Sequence, residues 1–197
     1  MPQEQAEPLE RRQQQRRRAM LDVGVGLLGA SEPAAVSVRA VCRSTGITER
    51  YFYEAFGSRD EFVRAVYDDV SVRARDALIE AVRGTTDPAE LPRAAVARFV
   101  ELVVDRPDVG RVLLIAPLRE TALAERGLGR MPEFFSVVAG TLPPGVGDET
   151  RQMVAVSVVG SLTALFTEFL SDRLEVTRAQ LVGFCVDVVT TTARRFE

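Results

Sequence analysis

The chain has 197 residues, which at about 150 residues per domain predicts one large domain or two small ones. Its formal net charge is −3, and 46% hydrophobic with 27% charged residues is an ordinary globular composition. With no histidine and two cysteines, the sequence excludes Ser-His-Asp hydrolases, Cys-His proteases, histidine-ligated zinc or haem, and a four-thiolate zinc site, because each needs imidazoles or further thiolates.

The cysteines and the apolar segments predict a soluble, cytoplasmic protein. Cys42 and Cys185 lie far apart within apolar helical patterns, so we expect two buried thiols rather than a disulfide framework. The first residues are polar and contain no secretory signal. The longest apolar stretch, Met153–Leu170, is interrupted by polar residues, which favours a buried helix over a membrane span. We therefore expect no membrane partner, no cofactor and no metal.

Charge is distributed unevenly along the chain. All 25 basic residues are arginine, and residues 11–59 carry a net charge of +5, whereas residues 60–197 carry −5. A basic end on an acidic body indicates a partner that only the first segment contacts, although arginines also commonly solvate a helix face.

The first third of the chain predicts several helices with clear end signals. Ser37 and Thr48 are candidate N-caps, and Ser58–Glu61 is a capping-box pattern. Gly46 and Gly57 are candidate helix ends, because glycine tolerates the left-handed conformation in which a chain leaves a helix. In chain order we expect a disordered or frayed tail over 1–12, a helix over 13–28, a loop over 29–35, helices over 38–44 and 49–56, and a long helix over 58–83.

The remaining two thirds are also expected to be helical, since no stretch alternates at period 2. Asp87 and Asp148 are candidate caps, and Thr177–Gln180 is a second capping-box pattern. The expected helices cover about 87–104, 107–115, 117–138 with a break at 127–129, 148–170 and 180–195. The fold class is therefore all-α, with about nine helices and no internal repeat.

The two short helices around Gly46 form a helix-turn-helix pattern. On a helical wheel, Phe52, Ala55 and Phe56 share one face, while Arg50 and Tyr53 point away. An arginine- and tyrosine-bearing outer face is typical of a helix that enters the DNA major groove, where arginine donates to guanine. Arg39, Arg43 and Arg59 would flank that groove. The alternative from the pattern alone is a solvated rim on a helical core.

The run from Ser37 to Phe62 resembles the N-terminal signature of the TetR family of bacterial transcriptional regulators. The shared features are the capped second helix, a Gly-apolar-Thr turn, Tyr-x-x-Phe, and Ser-Arg ahead of a long helix. The resemblance covers roughly Arg16–Tyr67; the rest matches the family only in size and helix content. It implies a helix-turn-helix domain over 13–59, a ligand-binding and dimerisation domain over 60–197, and a homodimer that leaves a double-stranded DNA operator when a small-molecule effector binds.

The resemblance also implies roles for individual residues. Arg39, Thr48, Arg50 and Tyr51 match positions that often contact bases or nearby backbone, and Tyr53 and Arg59 match positions that typically contact phosphates. Ala55 departs from the family, whose members often have histidine there, and Glu49 and Glu54 add negative charge beside the DNA.

The last two helices predict a dimer interface. Small residues at helical spacing let two helices approach closely, and the terminal helix offers an apolar strip that would seek a partner. We expect a four-helix interface about a two-fold axis, which is also the usual family arrangement; the alternative is that both helices are internal core. The candidate interface residues are Val156, Gly160, Ala164, Leu181, Phe184 and Val188.

The central helices carry large apolar side chains that could line an effector pocket or simply form core. They are Phe99, Val103, Leu113, Met131, Phe134, Phe135, Met153 and Phe166. The absence of histidine and tryptophan favours an apolar or weakly polar effector.

The leading hypothesis is a ligand-responsive transcriptional regulator, most often a repressor in the family it resembles. A helical carrier or sensor of hydrophobic ligands without DNA binding is the first alternative, which Ala55 and the two glutamates favour. A histidine-free enzyme that uses carboxylates is the second, but no acidic pair with a recognisable role is present.

Overall fold

The computed structural model describes residues 3–32, 36–143 and 145–195, and within these ranges it contains ten α-helices, two short 3-10 turns and no strand. The predicted all-α class is therefore confirmed. The helices are α1 (Gln3–Leu28), α2 (Val38–Thr45), α3 (Glu49–Phe56), α4 (Arg59–Arg83), α5 (Leu91–Val103), α6 (Pro107–Leu114), α7 (Ala116–Arg119), α8 (Ala124–Ala139), α9 (Asp148–Leu170) and α10 (Arg178–Arg194). The 3-10 turns are Pro88–Glu90 and Thr121–Leu123.

Side-chain caps form at three of the six helix starts that the sequence indicated. The hydroxyl of Ser37 accepts a hydrogen bond from the Ala40 amide at 3.2 Å, and that of Ser58 accepts from the Glu61 amide at 3.1 Å. At the start of α10, Thr177 and Gln180 form the complete reciprocal capping box. These caps satisfy amides that have no partner within their own helix.

Three helix starts differ from the predictions. Thr48 occupies the N-cap position of α3, but its side chain makes no capping bond. Gly147, not Asp148, is the N-cap of α9, and Asp148 is the first helical residue. Asp87 accepts a hydrogen bond from the Ala89 amide at 2.9 Å, and a 3-10 turn then precedes α5.

The N-terminal helix starts earlier than the sequence indicated. α1 begins at Gln3 rather than near residue 13, so residues 3–12 of the expected tail are helical. Glutamine, glutamate and arginine are good helix formers, and they extend the helix without needing a core contact. Residues 1–2 of the expected tail, and residues 33–35 of the expected loop, lie outside the described residues.

The break expected at residues 127–129 is absent, because α8 runs through both glycines. The chain is interrupted earlier instead, at Glu120, which has an extended backbone. A Cβ on Gly127 would lie 2.8 Å from the Pro117 Cβ atom. Gly127 therefore allows α8 to approach the start of α7 closely, and it does not end the helix.

Three phenylalanines fix α3 to the rest of the molecule. The rings of Phe52 and Phe56 from α3 pack on Phe62 from α4, with centroid distances of 5.1 and 4.9 Å. Phe52 and Phe62 are fully buried, together with Val25 of α1 and Val41 of α2. The predicted inward face of α3 is thus the one that packs, and α1–α3 form a small head on the first turn of α4.

Helix α4 is the central element, since it packs against α1, α3, α5, α6 and α8. The body is completed by α9, which packs on α6 and α8, and by α10, which packs on α5 and α9.

Within the described residues one helix, α9, is long and apolar enough to cross a bilayer by length and composition. In this structure its Ala155, Val158 and Phe166 are buried against neighbouring helices.

The two thiols differ in burial. Cys185 is fully buried, and burial raises the pKa of its thiol to about 11. Cys42, predicted as the second buried thiol, is only half-buried and packs at the edge of the core. Burial first and the nearby Glu49 carboxylate second raise the pKa of its thiol. A raised thiol pKa disfavours the reactive thiolate at both positions.

Two glycines on α1 provide a matched test of the packing between α1 and α4. A Cβ on Gly24 would lie 2.5 Å from Val66 and 2.7 Å from Phe62, whose side chains are buried, whereas Gly26 faces open space. We expect Gly24→Ala to lower the free energy of unfolding by about 1–3 kcal/mol. Gly26→Ala should raise it by about 0.5–1 kcal/mol, because alanine favours the helix. Urea unfolding of both variants measures the difference, and equal responses would contradict this packing.

Candidate functional site

The turn between α2 and α3 has helix-turn-helix geometry. Three residues, Gly46–Thr48, separate the two helices, and Gly46 has a φ of +69° in the left-handed region. The Thr45 hydroxyl donates to the Val41 carbonyl at 2.8 Å and accepts from the Ile47 amide at 3.3 Å. This short, capped turn sets α3 at a fixed angle to α2, as the sequence predicted.

The outer face of α3 carries polar and aromatic side chains that the core does not use. Arg50, Tyr51, Tyr53 and Glu54 are exposed, and the tyrosines are 41% and 48% accessible. Thr48 is exposed at the start of the same helix. The face is therefore free to enter a groove.

The arginines beside this face are held only by exposed ion pairs. The Arg50 Nε atom lies 2.8 Å from a Glu54 carboxylate oxygen, and the Arg39 Nε atom lies 4.0 Å from Glu49. Both arginine side chains are more than four-fifths exposed. Exposed pairs contribute about 0–1 kcal/mol, so either guanidinium can exchange its carboxylate for a phosphate or a base. Arg43 is also exposed.

Arg59 does not lie with these side chains. Its Nε atom donates to the Val36 carbonyl at 3.0 Å, and its terminal nitrogens contact the Glu120 carboxylate at 2.8 and 2.9 Å. Arg59 therefore joins the segment before α2 to the segment between α7 and α8. The expected phosphate contact would require these bonds to break. Sequence reasoning missed this pairing because Glu120 is 61 positions away.

Two arginines of α1 also lie against α3, and the sequence did not predict this contact. The Arg16 guanidinium lies over the Tyr51 ring, 4.2 Å from its centroid, and Arg17 lies over the Phe56 ring at 5.0 Å. The sequence does contain five arginines within residues 11–18, but it does not show that this part of α1 lies beside α3.

A series of polar contacts, here called the α4–α8 ladder, connects α4 to residues 120–133. Each contact pairs a side chain of α4 with a group on that segment. They are Arg59 with Glu120, Arg64 with the Ala122 carbonyl, Asp68 with Arg126 and Arg130, and Arg75 with Glu133. The ladder begins beside the head and runs along α4 into the body.

Asp68 is the most connected residue of the ladder. Its carboxylate accepts hydrogen bonds from Arg126 at 3.1 Å and from Arg130 at 3.0 Å. Burial alone would raise the pKa of Asp68, but the bonds and positive charges of the two guanidinium groups outweigh burial, and the pKa lies below its ordinary value. Asp68 is therefore ionised at neutral pH.

A cavity of about 520 Å³ lies in the body, between α4, α5, α6, α8, α9 and α10. Its volume falls within the range of small-molecule sites. Phe99 and Phe166 pack edge to face across part of its wall, with centroids 5.1 Å apart. Five of the predicted pocket residues line it: Phe99, Leu113, Met131, Phe134 and Phe166.

Three predicted pocket residues do not line the cavity. Val103 is fully buried at the end of α5, within the core. Phe135 is half-buried on α8, next to Phe134 but on a different side of the helix. Met153 is 63% exposed, because it lies on the face of α9 opposite to the buried Val154 and Val158.

The lining is almost entirely apolar. Among its described residues, Tyr67, Thr141 and Thr163 supply hydroxyl groups and Arg130 supplies the one charge. That charge is balanced, since Arg130 donates to both Asp68 and Glu133. Burial raises the pKa of the Tyr67 phenol, so it stays protonated at neutral pH. Two further lining residues, Leu118 and Leu128, are 75% and 77% exposed, which places them at the cavity mouth.

A second apolar surface lies on the outside of α9 and α10. We call it the distal face; it consists of the exposed residues Met153, Val156, Gly160, Ala164 and Phe184. Four of the six predicted interface residues belong to it. Of the other two, Leu181 is 2% exposed within the subunit's own core, and Val188 is half-buried.

Among the described residues, no group of three or more histidine, cysteine, aspartate or glutamate side chains could hold a metal ion.

Solved structures similar to this chain include transcriptional regulators. A TetR-like transcriptional regulator from Rhodococcus sp. RHA1 superimposes with a TM-score of 0.66 at 21% identity, covering 91% of this chain and 94% of that one. A putative transcriptional regulator from Pseudomonas aeruginosa PAO1 gives 0.73 at 20% identity, covering 93% and 95%. The fatty acid degradation regulator FadR from Bacillus halodurans gives 0.73 at 12% identity, covering 87% and 96%. No protein-family model matches the sequence.

The chain thus has the fold of the TetR-like transcriptional regulators over nearly its whole length. The resemblance that the sequence carries over residues 16–67 is confirmed at the level of the fold, and it extends to the body, where the sequence showed only size and helix content.

The lowered pKa of Asp68 generates a pH-dependent prediction. We expect Asp68→Asn to lower the free energy of unfolding at pH 7 by about 1–3 kcal/mol, because two guanidinium groups lose a charged acceptor. A depressed folded-state pKa stabilises the protein above the unfolded value of about 3.9 and stops doing so as the pH falls through the folded value. The difference between wild type and variant should therefore be largest near neutral pH and decrease as the pH falls through about 3.9 toward the folded-state pKa.

Urea unfolding from pH 7 to pH 3 measures this difference. Asp76→Asn is the control, because Asp76 is 52% exposed and, among the residues described, pairs with its neighbour Arg75 alone. An Asp68→Asn effect that is constant with pH would rule out the ionised carboxylate as its source.

Proposed function

We propose that this protein is a TetR-family transcriptional regulator that binds DNA through α3 and responds to a small molecule in its body. The observation that carries the proposal is the outer face of α3, where exposed arginine and tyrosine side chains stand on a helix fixed from behind by the phenylalanine cluster. In this proposal residues 13–59 form the DNA-binding domain, and residues 60–197 bind the effector and form the dimer.

On the operator, Arg50 reads a base edge and the surrounding residues hold the backbone. Arg50 would leave Glu54 and donate to guanine O6 and N7 in the major groove. Thr48, Tyr51 and Tyr53 lie on or beside the same exposed face and would contact bases or phosphates, as would Arg39 and Arg43. Arg59 is left out of this set, because its guanidinium group is engaged with Val36 and Glu120.

The protein would bind a palindromic operator as a homodimer. The distal face is apolar and solvent-exposed in the single chain, and pairing two copies about a two-fold axis would cover it. Gly160 and Ala164 would allow the two α9 helices to approach closely. The paired subunits would present their α3 helices about 34–36 Å apart, one turn of DNA.

The effector that suits the cavity is uncharged and mostly apolar. Among the described lining residues Arg130 is the one charged group, and Asp68 and Glu133 already balance it, so this lining offers a carboxylate no unpaired cation. FadR from Bacillus halodurans is described as a regulator of fatty acid degradation; a free fatty acid would have to displace one of these two acidic partners here. The hydroxyls of Tyr67, Thr141 and Thr163 suit one or two weak polar groups.

Release of DNA would follow from a shift between two arrangements of α4. Tyr67 of α4 and several α8 residues line the cavity, and the α4–α8 ladder joins both helices to the head. An effector that binds better when these helices are displaced would move α3 out of register with its half-site. It shifts the equilibrium only by its difference in affinity for the two states.

The proposal also includes repression of transcription, a cytoplasmic location and the absence of catalysis.

DNA binding is tested by fluorescence anisotropy with the region upstream of the protein's own gene and a scrambled duplex. We expect specific binding that weakens steeply with salt, because arginines displace counterions from phosphates. Arg50→Ala should cost about 1–3 kcal/mol on the operator and little on scrambled DNA. Arg83→Ala, an exposed arginine at the far end of α4, is the control and should leave both affinities unchanged.

Equal losses on both duplexes would refute the base-reading role of Arg50. If the wild-type protein binds neither duplex but still binds apolar ligands, it is a carrier or sensor, the alternative that the paired Glu49 and Glu54 favour.

The homodimer generates its own prediction. Phe184 is 57% exposed and is the α10 residue of the distal face, and Phe184→Glu would place a charge in the proposed interface. We expect light scattering to show about twice 21.6 kDa for the wild type and 21.6 kDa for the variant. Leu128→Glu is the control, because Leu128 is also exposed, at 77%, but lies at the cavity mouth. A wild-type monomer at micromolar concentration would refute the dimer.

A further inference from the structure

The first half of α1 is a basic segment that the core does not use. We call residues 11–18 the basic segment; five of these eight residues are arginine, and the other three are glutamine. Residues 10–19 are all exposed or half-exposed, and the first buried residue of the helix beyond them is Met20. Arg18, at the end of the segment, pairs with Asp69 of α4 at 2.8 Å and so anchors it to the body. The residues before it bury no side chain in the core.

One side of this segment adjoins the outer face of α3. The Arg16 guanidinium group stacks on the Tyr51 ring at 4.2 Å, and Tyr51 is exposed on α3. Arg12 lies four residues earlier, and residues spaced by four share one face of a helix. Arg12 is exposed. The structure thus places Arg12 and Arg16 in a row that continues from Tyr51 toward the outside of the head.

The charges of this row differ from those of α3. Arg50 and Arg39 each have a glutamate partner, which reduces the positive potential where bases would be read. Within the described residues, Arg16 contacts an aromatic ring and Arg12 has no carboxylate partner. The row is therefore a source of uncompensated positive charge next to α3, and it fits a polyanion.

The composition of the segment identifies the polyanion as nucleic acid backbone rather than a membrane surface. A helix that binds a bilayer needs an apolar face to insert, and residues 10–19 contain no large apolar side chain. Arginine forms bidentate hydrogen bonds with phosphate. Arg12 and Arg16 are about 6 Å apart along the helix axis, and a duplex presents one charge per about 1.7 Å of its axis.

We propose that Arg12 and Arg16 form a second DNA-contacting surface, which binds backbone phosphates outside the half-site that α3 occupies. This inference rests on the proposed function, since α3 must sit in a groove for the row to reach flanking DNA. The row adds affinity without adding base specificity, because phosphate contacts carry no sequence information directly. In a dimer it would lengthen the contacted DNA at both ends.

The test is the double substitution Arg12→Gln and Arg16→Gln, examined by hydroxyl-radical footprinting and salt titration on the upstream region of the protein's own gene. We expect protection outside the two half-sites to disappear while protection within them remains. Affinity should fall about tenfold or more, and the slope of log K against log salt should decrease by about 3–4 for the four phosphate contacts of a dimer. The ratio of operator to scrambled affinity should stay the same.

Two control variants show whether the effect depends on where the charge lies and whether charge alone is sufficient. A third measurement shows whether the variants stay folded. Arg83→Gln with Arg194→Gln removes the same charge from exposed positions on the body, and it should leave the footprint unchanged. Arg12→Lys with Arg16→Lys keeps the charge and should retain most of the salt slope. Circular dichroism should show the same melting temperature for all variants, because none of the four arginines is buried.

Two outcomes contradict these ideas separately. If the glutamine variant protects the same flanking DNA with the same salt slope as the wild type, the inference is wrong and the proposed function stands. If the wild-type protein shows no operator footprint, the proposed function fails, and the second surface fails with it.

Discussion

The position of the candidate DNA-reading helix depends on the contact of three aromatic rings. Phe52 and Phe56 turn inward from α3 and meet Phe62 at the start of α4, with no more than 5.1 Å between centroids of the contacting rings of the two helices. Aromatic packing of this kind is rigid and fully desolvated. Because these rings occupy one side of an eight-residue helix, Arg50 and Tyr53 have to face solvent. The chemistry of the outer face is thus a consequence of the packing behind it.

The same helix that receives this contact also forms a wall of the internal cavity. Phe62 belongs to the head, Tyr67 lines the cavity one to two turns later, and the α4–α8 ladder follows α4 on the side of α8. A displacement of α4 would therefore move residues of the head and residues of the cavity wall together. Arg59 strengthens this connection, since it ties Val36, just before α2, to Glu120 of the body. Arg59, whose position in the sequence resembles a phosphate contact, here connects the head to the body.

Electrostatics divide the head into two kinds of surface. On α3 and its neighbour α2, glutamates accompany arginines, which moderates nonspecific attraction where specificity would be set. On the basic segment of α1, Arg12 and Arg16 have no carboxylate partner among the residues that the structure describes, which suits affinity rather than discrimination. The acidic body, with −5 over residues 60–197, would repel DNA and so favour binding through the head alone.

Local sequence signals predicted the all-α class, the caps formed by Ser37, Ser58 and Thr177, and the sidedness of α3, because capping bonds and the 3.6-residue period involve neighbours only a few positions apart. They also identified five cavity residues and four residues of the distal face. Tertiary structure alone decided the pairing of Arg59 with Glu120, the stacking of Arg16 on Tyr51, the burial of Leu181 and the exposure of Met153. Each of these depends on an element distant in sequence, and only the packed arrangement of helices determines which faces meet.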